Sequence, residues 1–348
     1  MQERLPRIDA SIVALDTSQL KSLGLLDHAA IDWGRVHRSV YLIHHNFHYE
    51  YPGPIADLNH HLVVLPPNRH GDQRRLRHQL DVSVSPVTVA KRGDAFGNVV
   101  LDLRVPFVET AIDFEAWIVV ERFAAGPHRL PGTALTDRRY LDPSPLTQPD
   151  EALRAVATSL RMAGAEALPL ARRINRWVFE TMTYTPGVTS VETTAAEALA
   201  LSQGVCQDYA HIMLALCRLC DLPARYVSGH LLGEGGTHAW VDVVLPAVPR
   251  PLPDPPPQAG EGIEPRGAGK VVPSEAVAVA FDPTHGREVG LSYVTVAVGR
   301  DYRDVAPTSG SYKASFKGQL SSQRRVGLTA VQYARPRRIL PEAHVETA

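Results

Sequence analysis

Three side chains of this chain are of the types that carry nucleophilic acyl chemistry: Cys206, His238 and Asp282. A thiol attacks as its thiolate, an imidazole takes and returns the proton, and a carboxylate orients the imidazole. The sequence around each suits that role. Gly204 breaks a helix just ahead of Cys206, and Cys206, Ala210, Met213, Cys217 and Cys220 then recur with helical spacing on one stripe. Cys206 therefore falls in the first turn, where unpaired backbone N–H groups meet the positive end of the helix dipole. His238 lies within Thr237–Leu245, a β-branched run read as a strand with the histidine inside it and Pro246 at its end. Asp282 closes a second such run, Ala278 to Asp282, before Pro283. A lone cysteine on an apolar helix face is ordinary core, and a lone strand histidine is no more informative. The combination of a helix-start Cys, a strand His and an Asp at a following strand end is what points to a site.

The elements that must position these residues read in α+β order. Pro149-Asp150-Glu151 opens a helix, with proline in the first turn and acids near the positive end. Leu170, Ile174, Trp177 and Val178 lie at helical spacing in a second, which ends near Met182, and Trp177 is read as core. Thr194-Ala195-Ala196-Glu197 fits a capping box and starts a third, which delivers the chain to Gly204. Upstream, short strands separated by Pro, Gly and Asn predict a β-sandwich over residues 36–123. Residues 1–35 read as a leader with a short helix near Ser18–Leu26, 124–148 as a Pro-rich linker, 149–320 as the catalytic domain and 321–348 as a C-terminal tail.

Gly204-Val205-Cys206-Gln207-Asp208-Tyr209-Ala210-His211, Pro223 to Gly229, His238-Ala239-Trp240 and Phe281-Asp282-Pro283-Thr284 together resemble the bacterial transglutaminase-like (papain-like cysteine protease) superfamily. Asp94-Ala95-Phe96-Gly97-Asn98 and its flanking strands resemble the N-terminal β-domain of the bacterial branch, and Gly299-Arg300-Asp301-Tyr302 the stretch after the Asp. The resemblance covers about residues 36–320 and is specific in combination, each motif being weak alone. It implies an antiparallel β-sandwich followed by a papain/transglutaminase-like core, helices packed on an antiparallel sheet, with Cys206, His238 and Asp282 as a catalytic triad. One departure stands out: relatives generally cross the gap between the His and Asp strands in a short hairpin, often with a Trp. Here residues 246–273 are a Pro/Gly-rich insertion, expected to be mobile.

The chemistry this implies is attack by Cys206 on a peptide or glutamine-side-chain amide to give a thioester. The Cys206 backbone N–H would be one oxyanion donor, and Gln203 and Gln207 are candidates for a second. Water as second nucleophile makes the protein a thiol peptidase or amidase, the reading preferred; an amine makes it a protein-glutamine transglutaminase. A catalytically silent binding module is the reading from another class, and the intact Cys, His and Asp argue against it. Asp208 is read as a first-turn partner of the helix N-terminus, and His211 as a structural hydrogen-bonding residue.

Composition narrows the remaining options. Lys+Arg 36 against Asp+Glu 37 gives a formal net charge of −1, so there is no global electrostatic case for nucleic acid or anionic membrane. The partner expected is a peptide or protein substrate. Three cysteines make no disulfide framework, and the start at Met1–Pro6 lacks signal-peptide layout, so the cytoplasm is expected. No cofactor is called for, and no acidic loop resembles a calcium site. His44, His45, His48, His60 and His61 cluster in sequence but lack the companion ligands of a metal centre; they are read as solvated or pairing. Cys217 and Cys220 match C-x-x-C but sit late in the helix, facing inward, and are read as packing residues.

Overall fold

The computed structural model describes residues 20, 24–161, 166–247 and 273–334. The first unit opens with β1 (Val36–Glu50), β2 (Ile55–Leu65), β3 (Gln73–Val82), β4 (Thr88–Gly93), β5 (Val99–Val108) and β6 (Ala111–Phe123). The longer helices that follow are α1 (Glu151–Arg161), α2 (Ala167–Thr181), α3 (Ala195–Leu201) and α4 (Cys206–Leu219). The second sheet-forming segment is β7 (Ala224–Leu231), β8 (His238–Pro246), β9 (Glu275–Asp282) and β10 (Tyr293–Gly299), and the described chain ends in β11 (Thr308–Lys313) and β12 (Gln319–Tyr333).

The first unit is a sandwich. One sheet runs β12-β1-β6-β3 with Arg69–His70 at its edge, the other β11-β2-β5-β4. Period-two alternation places Leu58, Leu62, Leu101 and Leu103 against Tyr41, Ile43, Phe114 and Ile118 in a common core. Two boundaries read from the sequence are corrected here. The segment assigned to a tail and to the end of the catalytic domain returns to the sandwich: β12 pairs β1 from Val36↔Tyr333 to Glu50↔Gln319, and β11 pairs β2. A strand as long as β1 would otherwise present an open row of N–H and C=O groups. The polar half of β12, Ser321 to Arg325, hid this in the sequence. The expected linker 124–148 is also structured. His128–Pro131 pairs with β9, and Tyr140, Leu146 and Thr147 are buried. The leader helix falls largely outside the described residues, as does most of the 246–273 insertion.

In the second unit the antiparallel order is β9-β8-β7-β10, with Arg287–Glu288 beyond β9. Ala239, Val241 and Val243 on β8 pack with Ala210, Met213, Leu214 and Cys217 on α4. The single inward stripe expected for α4 proves too narrow. Gln207 through Arg218 are buried on every side, because α1, α2 and α3 cover the flank the sheet leaves open. The capping box at Thr194 and Glu197 and the helix end at Met182 form as the sequence predicts.

The two units meet at the outer edge of β10. The Asn98 side-chain amide donates to Val298 O at 2.7 Å and accepts from Val298 N at 2.8 Å. Gln73 does the same with Thr295, at 2.7 and 2.9 Å. Two buried carboxamides thus stand in for the missing neighbouring strand. The Asp94–Asn98 turn, held by Asp94 Oδ1 on the Phe96 and Asn98 amides, is the device that presents one of them.

Candidate active site

Gly204 and Asp208 set the helix start. The Asp208 carboxylate accepts from Val205 N at 2.8 Å and from the Thr189 hydroxyl at 2.7 Å, the first-turn role expected for it. A Cβ on Gly204 would lie 2.4 Å from Asp208 Oδ2, so only glycine lets the carboxylate fold back over the turn. Cys206 is the first residue of α4, half-buried and a free thiol.

His238 opens β8 rather than lying inside it. The Cys206 thiol is among the groups that raise the pKa of the His238 ring. His238 Nε2 faces Asp282 Oδ2 at 2.8 Å, leaving Nδ1 as the nitrogen that can serve the sulfur. Nδ1 also faces Glu234 Oε2 at 3.0 Å. Burial opposes charge on this imidazole, but bonds to Asp282, Cys206 and Glu234 outweigh it and raise its pKa to about 12. Asp282 is fully buried. Its Oδ2 accepts from His238, from His285 Nδ1 at 2.8 Å and from the Tyr293 hydroxyl at 2.7 Å, while Oδ1 accepts from Thr284 N at 2.9 Å. Burial alone would push its carboxyl up; these donors hold it well below the usual range.

Three residues of this cluster were not anticipated. His285 bridges Asp282 and Glu234, its Nε2 lying 3.1 Å from Glu234 Oε1, and the two carboxylates raise its pKa to about 9. Hydrogen bonds from both imidazoles lower Glu234 to about 2. Tyr293 comes from β10, and nothing local in the sequence announces it. A signal for His285 exists: Asp282-Pro283-Thr284 makes a turn in which the Thr284 and His285 amides donate to Asp282 Oδ1, which returns the chain to the carboxylate. Glu234 lies four residues before His238 in a glycine-flanked loop. Ligand atoms of His238, Asp282 and His285 lie within 4.8 Å of one another, but each is already engaged in the hydrogen bonds just described.

The oxyanion candidates separate. Gln207 follows Cys206 by one helical step, about 100° round the axis. Its side-chain amide donates to Val191 O at 3.2 Å and Ser190 O at 3.4 Å, holding that loop rather than facing the thiol. That expectation is corrected. Gln203 is exposed on a two-residue strand, Gln203–Gly204, paired in parallel with Thr183–Tyr184.

The decoys resolve locally. His44, His48 and His61 face Glu115, Asp113 and Asp102, His60 faces the Thr308 hydroxyl at 2.7 Å, and His45 faces His230 at 2.9 Å. Burial pushes the Cys217 and Cys220 thiols up. His211 accepts from Tyr302 N at 3.2 Å, and its burial lowers it to about 4.

Comparison with known proteins agrees with this architecture. Residues 154–251 match the transglutaminase-like superfamily core, and residues 41–121 the bacterial transglutaminase-like N-terminal region. The chain belongs to the transglutaminase-like superfamily, in the form that carries the bacterial N-terminal domain. It is 29% identical over 277 residues to an uncharacterized protein of Mycobacterium leprae, covering 77% of this chain and 91% of that one. It is 25% identical over 299 residues to an uncharacterized protein of Mycobacterium bovis, covering 78% and 86%. Among solved structures it is similar to a Cytophaga hutchinsonii protein provisionally described as a cysteine protease. The TM-score there is 0.59 at 19% identity, covering 86% of this chain and 99% of that one. Among the described residues, no helix is long and apolar enough to cross a membrane.

Proposed function

We infer that the protein is a cysteine-dependent acyl-transfer enzyme acting on peptide or glutamine-side-chain amides, in the first place a thiol peptidase or amidase. The observation that carries this reading is the Asp282–His238 hydrogen bond at 2.8 Å, which fixes the imidazole of a strand-start histidine on a buried carboxylate. Cys206 is assigned the nucleophile, His238 the general acid–base and Asp282 the orienting carboxylate. The thiolate adds to the amide carbonyl, His238 Nδ1 protonates the leaving amine, and a thioester remains. The Cys206 backbone N–H, which has no preceding intrahelical acceptor, is assigned one oxyanion contact; Gln203 is the remaining side-chain candidate for the second. All three cysteines are free thiols, which supports a reducing compartment such as the cytoplasm.

The test is selective alkylation followed by trapping. With limiting iodoacetamide near neutral pH, mass spectrometry is expected to find Cys206 modified well ahead of the buried Cys217 and Cys220, and Cys206 acylated by a peptide library. Equal sluggishness of all three thiols would instead favour a docking module.

A further inference from the structure

A cavity of about 410 Å³ lies where the sandwich meets the second unit, and none of Cys206, His238 and Asp282 lines it. Both its size and its place between two packed units are those of small-molecule sites. Strand alternation makes its floor. Val241 and Val243 of β8 pack toward α4, so Trp240 and Asp242 point the other way, beside Ala278 and Ala280 of β9. Two alanines there leave empty the depth that larger side chains would fill. The Arg172–Glu288 ion pair, at 2.7 Å and about half-exposed, marks the outer rim.

Two imidazoles meet in the wall. The rings of His70 and His128 lie edge to face, 4.3 Å between centroids. Gly71, left-handed at φ +56°, closes the turn onto them; a Cβ there would lie 3.0 Å from His128 Cβ. Arg225 Nη2 lies 3.1 Å from His128 Nδ1. A guanidinium only donates, so Nδ1 accepts and the ring proton sits on Nε2. His128 therefore offers an N–H donor and keeps no lone pair for a metal ion. His70 makes no hydrogen bond among the described residues, and its ring supplies a second N–H donor.

The surrounding charges decide what suits this pair. Asp242 Oδ2 is taken by Arg225 Nε and Nη2 at 3.1 and 2.9 Å, and both oxygens of Asp72 by Arg122 Nη2 at 2.9 and 2.8 Å. With Glu288 held by Arg172, a cationic ligand finds each lining carboxylate already paired. Burial, and after it the positive charges of Arg225 and Arg122, push the pKa of His70 well down. The field at that ring is positive. Two N–H donors in a positive field match an anionic acceptor with two oxygens, and walls that include Ala125, Leu168, Ala278 and Leu291 match a hydrocarbon body.

We propose that this cavity binds a small carboxylic acid with an aliphatic body, its carboxylate on the ring N–H groups of His70 and His128. Two sources offer that chemistry, a free aliphatic acid and the C-terminal end of a peptide. The site does not depend on the reaction assigned to Cys206.

The test is a saturation-transfer NMR titration of the whole protein with hexanoate, with N-acetyl-leucine as the model of a peptide end, and with hexanamide as the uncharged control. At least one of the two acids is expected to bind, at least about tenfold more tightly than hexanamide, the worth of a charge-assisted hydrogen bond. The tighter acid names the source. His70→Phe keeps a ring and removes the donor, and should weaken the acid at least about tenfold. Ala278→Leu fills the floor and should abolish binding; circular dichroism checks that both variants fold. The proposal is overturned if neither acid binds the native protein, if hexanamide binds as well as the acids, or if folded His70→Phe binds them as the native protein does. The comparison of acid with amide needs no variant, so it decides even where a substitution prevents folding.

Discussion

Asp282→Asn keeps the shape of a fully buried residue and removes the charge on which three donors converge. Oδ2 alone receives His238 Nε2, His285 Nδ1 and the Tyr293 hydroxyl, at 2.8, 2.8 and 2.7 Å. Removing one partner of a buried, hydrogen-bonded charge pair costs about 3–5 kcal/mol. The pH dependence of that loss is the sharper test. The folded pKa of His238 is raised to about 12, against about 6.5 unfolded. Its contribution is therefore complete below about pH 6.5 and is lost as pH rises toward 12. The folded pKa of Asp282 is depressed, so its contribution is present above about pH 4 and lost as pH falls through the folded value. Both are whole between about pH 4 and 6.5. In the variant, His238 returns toward its ordinary pKa, so the stability gap between the two proteins narrows above that window. One histidine gives a slope near 1.4 kcal/mol per pH unit, or about 2 kcal/mol between pH 6.5 and 8. His285 adds less, being one-third exposed. Urea unfolding followed by tryptophan fluorescence is the assay; Trp240 is a built-in reporter, its ring 6.2 Å from that of His238. A gap that stays constant from pH 6.5 to 8 would refute the reasoning, because Asp282 would then not be holding an imidazolium.

Further outcomes follow from the same contacts. Gly204→Ala places a methyl group against Asp208 Oδ2 at 2.4 Å; the cap must open, costing about 1–2 kcal/mol, and Cys206 alkylation should slow by at least about tenfold with the shift of its turn. Asn98→Ala leaves Val298 N and O without partners, at about 1–3 kcal/mol for each buried group. Hydrogen exchange at Val298 should rise while exchange in the middle of α4 stays slow; equal acceleration of both would mean global destabilisation rather than loosening of the β10 edge.

The candidate site was legible in the sequence wherever its geometry is local. Gly204 before an apolar helical run places Cys206 at a helix start by backbone physics alone. The β-branched runs bounded by Pro246 and Pro283 place His238 and Asp282 on strands, even though the histidine proved to be the first residue of its strand. Burial of Cys217 and Cys220 was readable in the same way, from their late position on that helix.

What depended on distant segments was not legible. Gln207 looked suitable by its place beside Cys206, yet the helical step turns it to the 190–191 carbonyls. The strand Gln319–Tyr333 looked like a polar tail until β1, with its far edge unpaired, supplied a reason for it to be a strand. Glu234, His285 and Tyr293 reach Asp282 and His238 from a glycine loop, a turn and an edge strand. By itself the sequence determined that a helix starts at Cys206 and that His238 and Asp282 lie on strands, because helix breaking, capping and strand periodicity act over a few residues. Only the tertiary structure decided which charges share a buried oxygen, since that depends on the angle at which separate elements pack and on the low dielectric that packing creates.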